Sequence, residues 1–176
     1  MKKSTKKGFT LVELVIVIAV IAILSAILIP TFGNVISNAN ETKYQSGAKA
    51  GYEEVLANQI TAHPEISDYD MIIVYSDTKL GSSVDFENTT TRAYLANGGN
   101  LTAVTAAINA EGATITVTAK SNKNVEKIEV TPAGGSVTAL SAITEFSDAE
   151  LVPNTKLYKV NDNVAVLFYK TTTTNP

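Results

Sequence analysis

Cysteine is missing from the chain, and histidine occurs once, at His63. The first absence removes disulfides, Cys-ligated zinc, iron–sulfur clusters and thiol catalysis together. The second leaves little material for a histidine-based catalytic or metal site. Charge is sparse as well: 18% of residues are charged against 45% hydrophobic, a balance that excludes a wholly disordered chain. With 14 basic and 17 acidic residues the net charge is −3, which argues against a general nucleic-acid binder, so no specific nucleic acid is expected as a partner. The totals hide a split. Lys2, Lys3, Lys6 and Lys7 crowd the first eight positions, leaving ten basic against 17 acidic residues, or −7, for the rest. The chain begins basic, turns apolar, and continues as an acidic, Thr- and Asn-rich segment whose length suits one globular domain.

Residues 9–32 read FTLVELVIVIAVIAILSAILIPTF, and Glu13 is the one charge among these 24 positions. About 20 apolar residues at 1.5 Å each cross a bilayer core, so the run is long enough to span. The lysines before it predict a cytoplasmic N-terminus. A secretory signal peptide fits less well, because its apolar region is usually about 7–15 residues and ends in an A-x-A-like site. A plain anchor fits the length but leaves Glu13 unexplained. A carboxylate in an apolar helix is costly, about 2.5–3.5 kcal/mol at mid-membrane and less near the headgroups, so it generally has a partner and a task. A basic partner in the same chain is hard to find once residues 1–8 are removed. A free amine created before Phe9 has the right sign, and a neighbouring copy is able to bring one to Glu13 in a dry environment.

Lys6-Lys7-Gly8-Phe9-Thr10-Leu11-Val12-Glu13-Leu14, followed by an aliphatic run to Pro30, resembles the processing segment of type IV pilins and their relatives. The short leader and Phe9 as first mature residue resemble the type IVa and pseudopilin side of the family. The resemblance implies cleavage between Gly8 and Phe9 by a membrane-bound prepilin peptidase, and N-methylation of the new Phe9 terminus by the same enzyme. It implies that Glu13 pairs with a neighbour's Phe9 amine during subunit assembly. Methylation is compatible with that pairing, since a secondary amine stays protonated near neutral pH.

Beyond Gly33 the helical pattern continues and becomes amphipathic. Ala48, Tyr52, Val55, Leu56 and Ile60 follow 3.6-residue spacing, with Lys49, Glu53, Glu54 and Asn58 on other faces. A single helix over 9–60 would measure about 78 Å and should end near His63-Pro64. Pro30 removes an intrahelical hydrogen bond and Gly33 adds a soft point, so the pair predicts a kink. A membrane-exit bend without function is one reading; the resemblance implies another, a segment able to lose order in a filament.

The remainder reads as a mostly β head. Residues 71–75 form an apolar strand candidate; 113–119 alternate strictly, with Ile115 and Val117 inward; 125–130 alternate less cleanly. Residues 157–160 and 164–169 flank Asn161-Asp162-Asn163 and read as a hairpin whose second strand, apolar on both faces, is central. Residues 101–109 read as a short helix because of their alanines. The expected fold class is α+β: a long N-terminal helix packed on an antiparallel sheet. The expected organisation is 1–8 cleaved leader, 9–33 transmembrane and assembly helix, 34–60 amphipathic helix on the head, and 61–176 head.

No catalytic motif, cofactor loop or metal motif stands out, and neither enzyme activity nor a cofactor is expected. Asp68, Asp70, Asp77, Asp85 and Glu87 lie in and around loops with the oxygen chemistry of a Ca²⁺ site, but their spacing matches no calcium loop. His63 reads as a surface helix-end residue. Asn40, Asn88 and Asn100 each begin a glycosylation-type triplet. Many pilins close a C-terminal loop with a disulfide; this head must be held by packing and hydrogen bonds, with its terminal hairpin a candidate clasp. The leading expectation is the major pilin of a type IV pilus. It is a membrane precursor that polymerises with itself into an extracellular filament, with prepilin peptidase, an assembly ATPase and a platform protein as partners. A pseudopilin of a type II secretion system or a minor pilin is the alternative, and a membrane-anchored binding module or enzyme the third.

Overall fold

The structure, a computed structural model, describes residues 8–104, 106–146 and 156–172, so the leader lysines and the end of the Thr-rich tail lie outside it. The chain divides into two compact units, up to Thr42 and from Lys43 onward.

The first unit is helical. Helix α1, Leu11–Glu54, starts here and runs through Pro30. Its Val- and Ile-rich sequence has modest intrinsic helix preference. In lipid, however, a helix is the way a single segment satisfies its own backbone, and the run is long and apolar enough to cross a membrane. Pro30 withholds the N–H that the Ala26 carbonyl would accept. One residue on, the Thr31 hydroxyl donates back to the Leu28 carbonyl at 2.8 Å and the Ile27 carbonyl at 3.3 Å. No described side chain of this unit is buried.

In the second unit α1 continues to Glu54, passes through a π-helical turn, Val55–Gln59, and ends in a short α2, Ile60–Ala62. His63 leaves the helix at φ −129°, ψ 75°, and Pro64 opens a 3₁₀ turn, Pro64–Asp68. Ten strands follow among the described residues: β1 Asp70–Ser76, β2 Thr91–Asn97, β3 Asn100–Ala103, β4 Ala107–Ala110, β5 Ala113–Ala119, β6 Val125–Pro132, β7 Thr138–Ala139, β8 Ile143–Thr144, β9 Leu157–Lys159 and β10 Val164–Tyr169. They form a six-stranded sheet, β3-β2-β1-β10-β9-β8, and a four-stranded sheet, β4-β5-β6-β7. The fold is α+β as expected, with one departure: β8 pairs with β9 in parallel, through Ile143↔Leu157 and Thr144↔Tyr158.

The larger sheet is buried on both faces. Alternation sends Met71, Ile73 and Tyr75 of β1 and Val164, Val166 and Phe168 of β10 to the helix side, where Ala48 and Val55 meet them. Ile72, Val74, Ala165, Leu167 and Tyr169 point the other way and pack on Ile115, Val117, Ile128 and Val130 of the smaller sheet. VAVLFY is therefore apolar on both faces because it lies between two layers, and all six of its residues are buried. The helix approaches closely because Gly47 and Gly51 lack side chains. A Cβ on Gly51 would sit 2.5 Å from Val164 Cγ1, and one on Gly47 would strike the Tyr75 ring.

Three expectations are corrected here. Residues 101–104 and 106–109, the described part of that span, are not helical: they contribute to β3 and β4. Gly98 and Gly99, with φ 56° and 86°, adopt the left-handed conformations of a two-residue hairpin turn and fold β3 back on β2 from Asn97↔Asn100 to Tyr94↔Ala103. Strand pairing outweighs the weak alanine preference. His63 does sit at the helix end but is not a surface residue, being only 6% exposed. The reversal at Pro64 tucks its ring 6.1 Å from that of Phe146, with Nδ1 3.1 Å from Glu65 Oε1. Leu56, expected on the packed face, is 39% exposed, because the covered stripe runs through Ala48, Gly51 and Val55.

Candidate assembly site

Thr10 and Glu13 are joined before anything else reaches them. Thr10 precedes α1 as its N-cap and Glu13 is the third residue of the first turn. The Glu13 backbone N–H donates to Thr10 Oγ1 at 3.2 Å. In return Glu13 Oε2 accepts from the Thr10 backbone N–H at 2.8 Å and from the Thr10 hydroxyl at 2.7 Å. This is a capping box, which satisfies orphan donors of the first turn and sets a carboxylate at the positive end of the helix dipole. Glu13 thus has local hydrogen-bond partners in the lone chain. Sequence reasoning missed Thr10, although Thr-x-x-Glu ahead of an apolar run is the signal that finds it.

Phe9 lies immediately before this box and is 85% exposed. A Cβ added to Gly8 would meet nothing within 4 Å, so the peptide joining Gly8 to Phe9 is open to approach. Gly8, Phe9, Thr10 and Glu13 therefore lie together at the start of α1. Pro30 and Gly33 lie well apart from them, about 25 Å along the helix for the 17 residues from Glu13 to Pro30. Gly33 also has open space at its Cβ position. The intervening large side chains are uncovered on every face, among them Leu14, Ile18, Ile21, Leu28 and Phe32.

Of the loop carboxylates, Asp70, Asp77 and Asp85 accept hydrogen bonds. Asp85 Oδ1 accepts from the backbone N–H groups of Glu87 (3.1 Å) and Asn88 (3.0 Å), and Oδ2 from the Asn88 amide at 2.9 Å. The Asn88 side chain first, then its backbone N–H, holds the Asp85 carboxyl below its ordinary range. Asp77 Oδ1 accepts from Thr90 N–H at 3.0 Å, and Asp70 from the Thr171 hydroxyl. Among the described residues no group of three or more His, Asp or Glu side chains is placed to hold a metal. An open cleft of about 810 Å³ beside β4, β5 and β6 is lined by residues such as Ile108, Asn109, Thr114, Thr131 and Thr172, with no ionisable group. Asn40, Asn88 and Asn100 are exposed, and Asn88 spends its amide on Asp85.

Residues 3–29 match the family described as the prokaryotic N-terminal methylation motif. The chain is 50% identical over 44 residues to the type IV major fimbrial protein FimA of Dichelobacter nodosus, a stretch covering 25% of this chain and 28% of that protein. It is 46% identical over 48 residues to the type IV major alpha-pilin of Moraxella bovis, covering 27% of this chain and 30% of that one. The matched stretch therefore spans less than a third of these relatives' length. No solved structure matches the chain significantly.

Proposed function

On the premise that this chain belongs, through its N-terminal segment, to the type IV pilin family, we propose that it is the major structural subunit of a type IV pilus. Prepilin peptidase cuts between Gly8 and Phe9, and Phe9 is N-methylated. The precursor waits in the cytoplasmic membrane with its N-terminus inside, and an assembly ATPase and platform protein drive its polymerisation into a surface filament. Glu13 meets the amine of a neighbouring Phe9, and Pro30 with Gly33 supplies the bend of the stem. The role is structural rather than catalytic.

One observation carries this reading: from Leu11 to Phe32 the large aliphatic side chains of α1 are uncovered all round. Burying each is worth about 1.5–3 kcal/mol, so the stem belongs in lipid or among copies of itself. Like stems packed side by side with heads outside make a contact that does not close on itself, and such contacts build open helical polymers. The two relatives described above are major filament proteins, which favours the major subunit over a pseudopilin. Mass spectrometry of sheared surface fibres tests this directly. The expected result is this chain as the dominant component, with an N-terminal peptide beginning at methylated Phe9. Fibres that lack it, or a chain retaining Lys6-Lys7-Gly8, would reject the reading.

A further inference from the structure

The chain contains a single arginine, Arg92, and it is 7% exposed. A guanidinium is always charged and tolerates burial only where its donors and its face are both used. Arg92 sits on β2 directly opposite Tyr75 of β1, so its side chain leaves the sheet on the helix side. There its guanidinium carbon lies 4.9 Å from the centroid of the Tyr44 ring. The same group donates to Asn124 Oδ1, in the turn between β5 and β6 of the other sheet. That turn is itself pinned, since Lys120 N–H donates to the Asn124 carbonyl at 2.7 Å. Tyr44 also stands 5.8 Å from the Tyr75 ring, and the neighbouring Gln45 amide reaches the Leu101 carbonyl at 3.5 Å.

Tyr44 is the first side chain of α1 to be covered within the C-terminal unit, which begins at Lys43. From there the covered stripe continues through Ala48, Gly51 and Val55, apolar contacts without direction. Directional contacts stand at its two ends: Asn161 holds Glu54 at the far end, and Arg92 holds Tyr44 at the near one. We propose that Arg92 is a latch that clamps the Tyr44 turn of α1 to both sheets of the head, so that detachment of the helix from the head begins at Tyr44 and is gated by that one guanidinium. Arginine suits the task because a flat cation can stack on a ring and still aim an N–H at an amide oxygen; a lysine ammonium offers a point charge and no plane. The latch belongs to the head alone and does not depend on whether the chain polymerises.

The absence of native cysteine makes the test clean. Single thiols are introduced into the full-length chain in detergent micelles. Ala48→Cys lies one turn beyond Tyr44 at 0% exposure, and Ala165→Cys lies on the far face of β10, also at 0%. Maleimide labelling rates are read in each background with Arg92→Lys, and separately with Tyr44→Leu, which keeps apolar bulk but removes the ring. The expected result is about a tenfold faster reaction at position 48 with either substitution, the order of a desolvated cation–π contact, with position 165 unchanged. Rates at 48 that stay within about twofold for either variant would overturn the latch. So would a parallel rise at 165, because the arginine would then hold up the whole head rather than one turn of helix.

Discussion

Replacing Glu13 by glutamine separates two roles that replacement by alanine confounds. In the lone chain Glu13 Oε2 accepts the Thr10 N–H and hydroxyl at 2.8 and 2.7 Å. A glutamine carbonyl at the same position accepts them too, since either residue completes a capping box. Glu13→Gln therefore keeps the first turn of α1, whereas Glu13→Ala loses the glutamate's half of the capping box. The charge is another matter. Leaving an ammonium buried without its partner costs about 3–5 kcal/mol. At 1.4 kcal/mol per decade that disfavours each addition of a subunit by at least about a hundredfold. If the carboxylate answers a neighbour's Phe9 amine, subunits carrying either substitution fail alike to enter filaments, while cleavage after Gly8 proceeds in both. The assay is the sheared-filament yield from cells carrying the variant as sole subunit, with processing followed by the mass of the membrane-bound pool. Normal filaments from Glu13→Gln together with a defect in Glu13→Ala would show that Glu13 is a helix cap and nothing more, and the pairing argument would fail.

Four further outcomes are expected of the head and its helix. Gly51→Ala should destabilise the head by about 1–2 kcal/mol net, seen as a lower melting temperature, because a Cβ 2.5 Å from Val164 forces the helix off β10 and outweighs alanine's better helix propensity. Ending the chain at Lys170 removes the Ala110↔Thr171 bridge and the Thr171 and Thr172 hydroxyl bonds to Asp70 and the Asn109 carbonyl; urea unfolding should lose about 2 kcal/mol. Burial, and secondarily the charge of Asp70, pushes the Tyr169 phenol up to about 12. Its folded pKa lies above the unfolded value of about 10, so the neutral form is favoured in the fold; the contribution is complete below pH 10 and is lost between about 10 and 12, a decline in melting temperature that Tyr169→Phe should flatten. Hydrogen exchange should be faster over residues 37–43, where no side chain is buried, than over 48–55, where Ala48, Gly51 and Val55 are.

What the sequence disclosed follows from which interactions are local. The stem is legible because an unbroken apolar run is its own signal. β5 and β10 are legible because Ile115 and Val117 alternate with threonines, and VAVLFY has no polar face to turn outward. Strand β2 is harder to read: Arg92 stands near the start of TRAYLAN, and its burial depends on Tyr44 and Asn124, 48 and 32 residues away. β7 and β8 have two residues each, too few to show a period. The hairpin at Gly98-Gly99 carried its own turn signal, yet the alanines after it argued locally for helix until pairing with β2 decided otherwise. His63 is buried by Phe146, a contact across 83 positions that no window of sequence contains. At the start of α1 the glutamate was conspicuous, while its capping partner, Thr10, was easy to pass over, being polar beside an apolar run.

A head without disulfides needs some other means of keeping its last strand in place, and the topology supplies one. β10 is last in the described chain order yet central in the sheet, paired with β1 over Asp70↔Tyr169 to Tyr75↔Val164 and with β9 on its other side. Its six side chains divide between the helix-side core and the inter-sheet core. Extracting it would therefore open two cores at once, not one edge. The turn before it is tied down by Asn161, whose amide reaches Glu54 Oε2 at 2.8 Å, and by Asp162, paired with Lys79 at 2.8 Å. The segment after it returns to the end of β4, and Glu111 N–H, just past that strand, donates to the Lys170 carbonyl at 2.7 Å. Each of these ties is individually modest, the exposed Lys79–Asp162 pair most of all. Their effect is positional: they hold both ends of a strand whose burial does most of the stabilising. A cross-link would act instead by restricting the unfolded chain. The head does without cysteine because its last described strand lies in the middle of the sheet rather than at its edge.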